Sequence, residues 1–274
     1  MTVLSLPGGA GTAIFRVIST MGIRILGCSG GIGAELRTTS LLVDKDTLID
    51  AGTGLGDLTL DEMRQIRHVF FTHSHLDHTC GLPLLVDTIF DHLKTPLTVY
   101  GRIETLNAVR KHIFNWVMWP DFGELPEKHN PVLVYKPLDL GEKVSIGERS
   151  FHMIEVDHTV PGAGYILSRR GKVFAFTGDT YTNDTFWKAA NAYPRIDALM
   201  VETAFANSNR KLADMAKHYC PETLAEDLKK FKHDCPVYIT HLKPGSEDVI
   251  FQEILAALPK RKVHRLKGGE VFDL

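Results

Sequence analysis

The run Thr72-His73-Ser74-His75-Leu76-Asp77-His78 decides how this chain is read. Four potential metal ligands fall within six residues, directly after the stretch Val69-Phe70-Phe71-Thr72. That stretch reads as a buried strand from its β-branched and aromatic content, and a helical pattern follows from about residue 79. The four groups therefore sit on a tight turn at a strand end. On an extended segment His73 and His75 project to one side, while Asp77 and His78 lie at the turn and reach a second position. Imidazole nitrogens with a carboxylate suit Zn²⁺ or a similar borderline ion. A lone histidine carries no such implication, but burying three imidazoles and a carboxylate without partners would be costly.

Further donors stand just past other apolar runs. His158 follows the strand-like segment 151–156, Asp179 follows 172–176 in Thr177-Gly178-Asp179-Thr180, and His241 follows 236–240 in Ile239-Thr240-His241-Leu242. Each is weak alone, and a turn or capping role for Asp179 is a fair alternative. Together they complete the donor set of a two-metal hydrolase.

Composition bounds the remaining choices. The chain has 274 residues, 44 % apolar and 23 % charged, with a net charge of −2. Those values suit a soluble globular protein with a sizeable core and exclude a disordered or collagen-like chain. No apolar run approaches the roughly 20 residues that cross a bilayer. The charge balance gives no general nucleic-acid footprint. Cys28, Cys80, Cys220 and Cys235 show no C-x-x-C spacing, and reduced thiols in a cytoplasmic protein are the simplest reading. Residues 1–20 are Gly-rich, lack a basic n-region and a long apolar h-region, and precede a second methionine, Met21. They read as a dispensable extension, with 21–274 as one domain.

From Met21 onward, β-rich runs at 23–26, 41–43, 47–50, 69–72 and 97–100 alternate with helical patterns at 82–93 and 103–117. Strands are expected at 132–135, 143–146, 151–156, 164–168, 172–176 and 197–201, with a helix near 182–192. The chain closes with helix 221–232, strand 236–240, helix 246–258 and strand 270–272. This order fits a layered α/β domain with two sheets inside and helices outside.

The T-H-S-H-L-D-H run, the later His158, Gly178-Asp179-Thr180 and Thr240-His241-Leu242 resemble the metallo-β-lactamase superfamily, and Leu48-Ile49-Asp50-Ala51-Gly52-Thr53-Gly54 resembles its first motif. The likeness spans 21–274. It implies a four-layer αββα sandwich with two divalent ions at one edge of the paired sheets, Zn²⁺ by preference, with Mn²⁺ or Fe as alternatives. It also implies that His73, His75 and His158 hold one ion, that Asp77, His78 and His241 hold the other, and that Asp179 bridges them. Asp50 would orient ligands from behind. A water shared by two such ions loses a proton near neutral pH, and the ions stabilise charge growing on substrate oxygens. The resemblance thus implies a hydrolase using a metal-bridging hydroxide.

The longer stretch His73 to Leu85 is similar to the class II cyclic-nucleotide phosphodiesterases, as are Gly27-Cys28-Ser29-Gly30-Gly31-Ile32-Gly33, His158-Thr159-Val160-Pro161 and His241-Leu242-Lys243-Pro244. A small nucleotide or other phosphodiester is then the expected substrate, cyclic AMP or cyclic GMP being opened to the 5′-monophosphate. Glu202 in Val201-Glu202-Thr203-Ala204-Phe205 and His218, shortly before Pro221, match positions that pair near the metals in related phosphodiesterases, including the transfer-RNA 3′-processing endonucleases. A departing sugar alkoxide benefits from a general acid, and an imidazolium oriented by Glu202 can supply the proton. The bland alternative is a surface histidine and a local salt bridge.

The segment 112–123 places two tryptophans and two phenylalanines together. Core packing or a dimer contact accounts for most of it, with Trp119 or Phe122 as an aromatic that reaches a base. Three alternatives stay open: an RNA 3′-processing endonuclease, a hydrolase of another small phospho-, sulfo- or lactone ester, and a non-enzymatic di-iron sensor of oxygen or nitric oxide. The interval between His158 and Asp179 leaves no room for the endonuclease's protruding basic arm, so nucleic acid is not the expected partner. A homodimer is one possible assembly.

Overall fold

The computed structural model describes residues 21–274, so the expected extension at 1–20 lies outside the described residues. The strands are β1 Gly22–Gly27, β2 Ser40–Val43, β3 Thr47–Ile49, β4 His68–Phe70, β5 Leu97–Gly101, a small hairpin of β6 Pro126–Glu127 and β7 Asn130–Pro131, β8 Leu133–Pro137, β9 Lys143–Ile146, β10 Arg149–Val156, β11 Gly162–Arg169, β12 Lys172–Phe176, β13 Ala198–Glu202, β14 Val237–Thr240, β15 Val263–Arg265 and β16 Val271–Asp273. The helices are α1 Leu60–Met63, α2 Leu76–Thr79, α3 Gly81–Ile89, α4 Ile103–His112, α5 Thr185–Asn191, α6 Arg210–Ala216, α7 Pro221–Asp227 and α8 Glu247–Ala257.

Two seven-stranded sheets form, in the orders β16-β1-β2-β3-β4-β5-β8 and β15-β14-β13-β12-β11-β10-β9. In each sheet one half is antiparallel and the other parallel. Strand alternation sorts the side chains into layers. In β12, Phe174 and Phe176 point between the sheets, while Val173 and Ala175 face the outer helices. Likewise Phe70 enters the inter-sheet core and Val69 faces α3. Leu82, Leu85, Val86 and Ile89 of α3 cover the first sheet, with Leu106 and Val109 of α4. Phe186, Trp187, Leu224, Ile250 and Ile254 cover the second. The result is the helix–sheet–sheet–helix sandwich of the metallo-β-lactamase fold, with strands buried on both faces as their apolar content requires.

Away from the strand ends that carry the candidate ligands, Arg149 ties the sheets together. It is buried and places Nη1 2.7 Å from Asp46 Oδ1 and Nη2 3.0 Å from Asp46 Oδ2, a two-point contact with the β2–β3 turn.

Several helices stop earlier than their apolar spacing suggests. The helix expected over 103–117 ends at His112. There the Asn115 side chain accepts the main-chain N–H of Val117 (3.0 Å) and Met118 (2.8 Å), and Trp116 adopts φ +64°. An asparagine that satisfies local backbone donors in this way competes with helix continuation. The patterns over 82–93 and 221–232 each end in a 3₁₀ turn, at Phe90–His92 and Leu228–Lys230. Helices α1 and α6 and strand β15 were not expected from the sequence, being short or mostly polar.

Candidate metal centre

Parallel strands β3 and β4 of one sheet, and β12, β13 and β14 of the other, run toward the same edge of the sandwich. Strand β10 points the same way, because two antiparallel steps separate it from β12. Residues just past these C-terminal ends therefore converge, the general location of sites in open α/β sheets. Asp50 follows β3, the His73–His78 segment follows β4, and His158 follows β10. Asp179, Glu202 and His241 follow or end β12, β13 and β14.

Close backbone contact makes the convergence possible. A Cβ on Gly178 (φ +63°) would lie 2.7 Å from the Ala163 carbonyl, and one on Gly30 would lie 2.5 Å from the His241 carbonyl and 2.9 Å from its Nδ1. Glycine is thus required at both positions. Asp50 and His241 themselves adopt φ +56° and +63°. Such strain in non-glycine residues is held by surrounding structure and concentrates at functional sites.

Five groups of three donors form among the described residues; two of them match the expected ligand sets, and two others include His218, with His158 and Asp179 or with Glu202 and His241. His73, His75 and His158 bring one ligand atom each within 4.8 Å of one another, and so do Asp77, His78 and His241. Asp179 stands between them, its Oδ2 3.9 Å from His73 Nε2, 3.2 Å from His78 Nε2 and 3.0 Å from His241 Nε2. Asp77 Oδ2 lies 3.8 Å from His78 Nε2 and 3.4 Å from His241 Nε2. On the other side, His75 Nδ1 is 3.2 Å from His158 Nε2.

The outer nitrogens of His78 and His158 are fixed by the protein. Asp50 Oδ2 takes His78 Nδ1–H at 2.7 Å, while Asp50 also accepts the Thr72 N–H (2.8 Å) and hydroxyl (2.7 Å). Lys217, in left-handed conformation at φ +52°, presents its carbonyl 3.0 Å from His158 Nδ1. These contacts select tautomers that leave the opposite nitrogen facing inward.

The electrostatics match the geometry. Burial pushes His158 down to about 4 and holds His75 and His73 below the ordinary imidazole range. These rings are therefore neutral, with lone pairs free to ligate. At the other triad burial also opposes charge, but the Asp179 carboxylate outweighs it. It raises His241 to about 9 and His78 well above its ordinary value. Asp179 is held well below the carboxylate range by His241 and His78 despite its burial. This end of the site demands positive charge. The buried Nε2 atoms of His73 and His78 have no hydrogen-bond partner. Inward-facing, unpartnered nitrogens around a shared carboxylate fit a pair of divalent cations.

Beside the triads, His218 Nδ1 lies 2.8 Å from Glu202 Oε1. Glu202 is fully buried and also accepts the Thr180 N–H at 3.1 Å. The His218 ring stands 4.9 Å from that of His158 and stacks at 5.0 Å on His241.

The structure thus assembles His73, His75, Asp77, His78, His158, Asp179 and His241, with Asp50 behind them and Glu202–His218 alongside. Trp119 and Phe122 do not join this group. Phe122 is 4 % exposed in the apolar cluster under α3 and α4, its ring 5.5 Å from that of Phe90 and 6.2 Å from that of Phe114. It has no free face for a base, and Trp119 packs against the same cluster. The aromatic next to the site is Phe205, whose ring meets His218 edge-on at 5.8 Å. Phe205 and the Lys217 carbonyl were missed by sequence reasoning. A main-chain acceptor leaves no mark in sequence, whereas Phe205 is signalled only by lying three residues past Glu202.

The Beta-lactamase superfamily domain matches residues 46–249. A probable 3′,5′-cyclic-nucleotide phosphodiesterase of Yersinia pestis is 25 % identical over 299 aligned positions, covering 88 % of this chain and 82 % of that protein. A ribonuclease Z of Bacillus licheniformis is 27 % identical, covering 77 % of this chain and 84 % of that protein. The fold superposes on unliganded yeast PDE1 with a TM-score of 0.77 at 19 % identity, covering 94 % of this chain and all of the yeast protein. The chain belongs to the beta-lactamase superfamily and is a metal-dependent hydrolase of the metallo-β-lactamase fold.

Proposed function

We propose that the protein is a dinuclear phosphodiesterase that opens 3′,5′-cyclic nucleotides to 5′-monophosphates. The observation that carries this reading is the Glu202–His218 pair set directly against the two triads. An imidazole whose Nδ1 is held by a buried carboxylate at 2.8 Å keeps Nε2 available for a proton transfer. The names of two matched relatives, a cyclic-nucleotide phosphodiesterase and a ribonuclease, both concern phosphodiester cleavage.

In this reading His73, His75 and His158 would hold one cation and Asp77, His78 and His241 the other, with the Asp179 carboxylate standing between the two sets. Such a pair supplies an acidified water and charge neutralisation for phosphoryl oxygens. Zn²⁺ suits the imidazole-rich set. Asp50 and the Lys217 carbonyl keep His78 and His158 in the ligating tautomers. Asp77 and Asp179 would offset the charge of the second cation. His218, oriented by Glu202, donates its Nε2 proton to the departing 3′-oxygen, and Glu202 stabilises the imidazolium before that transfer.

A ribonuclease of the matched type is the second reading. Against it, the chain between His158 and Asp179 is taken up by β11, β12 and their tight turn, and the net charge is −2. A substrate panel decides. Metal-replete protein is offered cyclic AMP, cyclic GMP, bis(p-nitrophenyl) phosphate and a precursor transfer RNA. Turnover of the cyclic nucleotides with 5′-monophosphate as product supports the proposal. Cleavage of the RNA, or of the simple diester but neither cyclic nucleotide, rejects it. No described helix is long and apolar enough to cross a membrane.

A further inference from the structure

Phe205 is half-buried yet belongs to none of the three apolar clusters of the described residues. Its place is set by the backbone around the site instead. The Ala204 and Phe205 N–H groups both donate to the Tyr219 carbonyl, at 3.1 and 3.4 Å, and Lys243 N–H donates to the Ala204 carbonyl at 3.2 Å. The residue is thus tied to the segments that carry His218 and His241. The rings of Phe205, His218 and His241 follow one another at 5.8 and 5.0 Å. Lys243 extends over the Phe205 ring, its Nζ 6.0 Å from the centroid and 2.8 Å from the Gly30 carbonyl. That hydrogen bond uses one of three ammonium donors.

A half-buried aromatic beside a candidate proton donor, capped by a lysine anchored to the glycine that backs His241, has the chemistry of a nucleotide wall. Aromatic faces take bases by stacking, worth about 1–3 kcal/mol per base, and an ammonium serves a phosphate as a point charge. We propose that Phe205 is the specificity-determining residue that packs against the planar base of the substrate, and that Lys243 attracts its phosphate while holding the ring in place. The proposal rests on the nucleotide reading above and assigns it a contact surface, in place of the Trp119–Phe122 region.

The test is binding rather than turnover. Calorimetry on metal-replete protein compares AMP with ribose 5-phosphate, which carries the same phosphate without the base. Wild type binds AMP tens of times more tightly. Phe205→Ala shrinks that ratio about tenfold, Phe205→Tyr retains it, and Lys243→Met weakens both ligands by a similar factor with the ratio kept. Equal affinities in wild type, or a ratio that Phe205→Ala leaves unchanged, overturn the proposal. A Phe205-dependent preference for AMP in a protein that fails to open cyclic AMP rejects the reaction but leaves the wall standing.

Discussion

Replacing His218 separates a proton donor from a structural histidine. His218 is 93 % buried, since its exposure is 7 %, and its Nδ1 is the close partner of the fully buried Glu202 carboxylate. Removing the ring outright would leave that carboxylate short of a donor, a cost of about 1–3 kcal/mol in stability. His218→Asn is the better perturbation, because its amide N–H can still satisfy Glu202 while no transferable proton remains. General acid catalysis contributes roughly 10²–10⁴-fold, or about 3–5 kcal/mol of barrier at 1.36 kcal/mol per tenfold. That loss applies only where the leaving oxygen needs a proton. With cyclic AMP, whose leaving group is a sugar alkoxide, kcat should fall by about 10²–10⁴-fold. With bis(p-nitrophenyl) phosphate, whose leaving phenolate is stable unprotonated, it should fall less than about tenfold. Glu202→Gln should show the same asymmetry more weakly, and the double variant should be no worse than His218→Asn alone, as expected of residues acting as a unit. Steady-state kinetics on both substrates, with metal content measured in parallel, provide the assay. Equal losses on the two substrates would refute the proton-donor role. A drop in bound metal would refute it as well and make His218 a ligand.

Three other outcomes follow from the geometry. Asp179→Ala should abolish turnover on every substrate and lower metal occupancy by elemental analysis, because its Oδ2 is the point shared by His73, His78 and His241. Gly30→Ala should cut kcat by about 10²-fold with the fold retained, since a displacement near 1 Å at a site costs about that much; its new Cβ would press on His241 at 2.5 and 2.9 Å, and wild-type kcat would contradict this. Asp227 is buried and accepts Trp187 Nε1 (2.6 Å) and the hydroxyls of Thr182 and Tyr219 (2.5 Å each). Burial opposes its charge, but Lys230, Thr182 and Tyr219 hold its carboxyl below the ordinary range. The unfolded chain therefore binds the proton first as pH falls, so this stabilisation is present above about pH 4 and fades below it. Asp227→Asn should lower stability by about 1.5–3 kcal/mol at neutral pH and by less at acid pH, checked by denaturant melts across that range.

Much of the centre was legible because its donors are concentrated. The His73–His78 run places four of them in one turn, and the others announce themselves as polar residues directly past apolar strands. The layer order was legible for the same reason: Val173 to Phe176 alternates between two buried faces, so both faces read as apolar. What escaped depended on where atoms point. The Lys217 carbonyl that fixes His158 carries no side-chain identity. Asp227 looks like any helical acid until Trp187, Tyr219 and Thr182 are seen around it. The 112–123 aromatics drew attention by density, yet Phe122 fills a core, while Phe205 gains its position from backbone ties to Tyr219 and Lys243. Helix ends depart from the apolar spacing where a side chain such as Asn115 captures the backbone.

Anomalous diffraction from crystals of the metal-replete protein tests the central claim most directly. Two ions are expected, one on His73, His75 and His158, the other on Asp77, His78 and His241, with Asp179 touching both. A single ion at full occupancy with metal in excess, or ions held away from these side chains, would contradict the account.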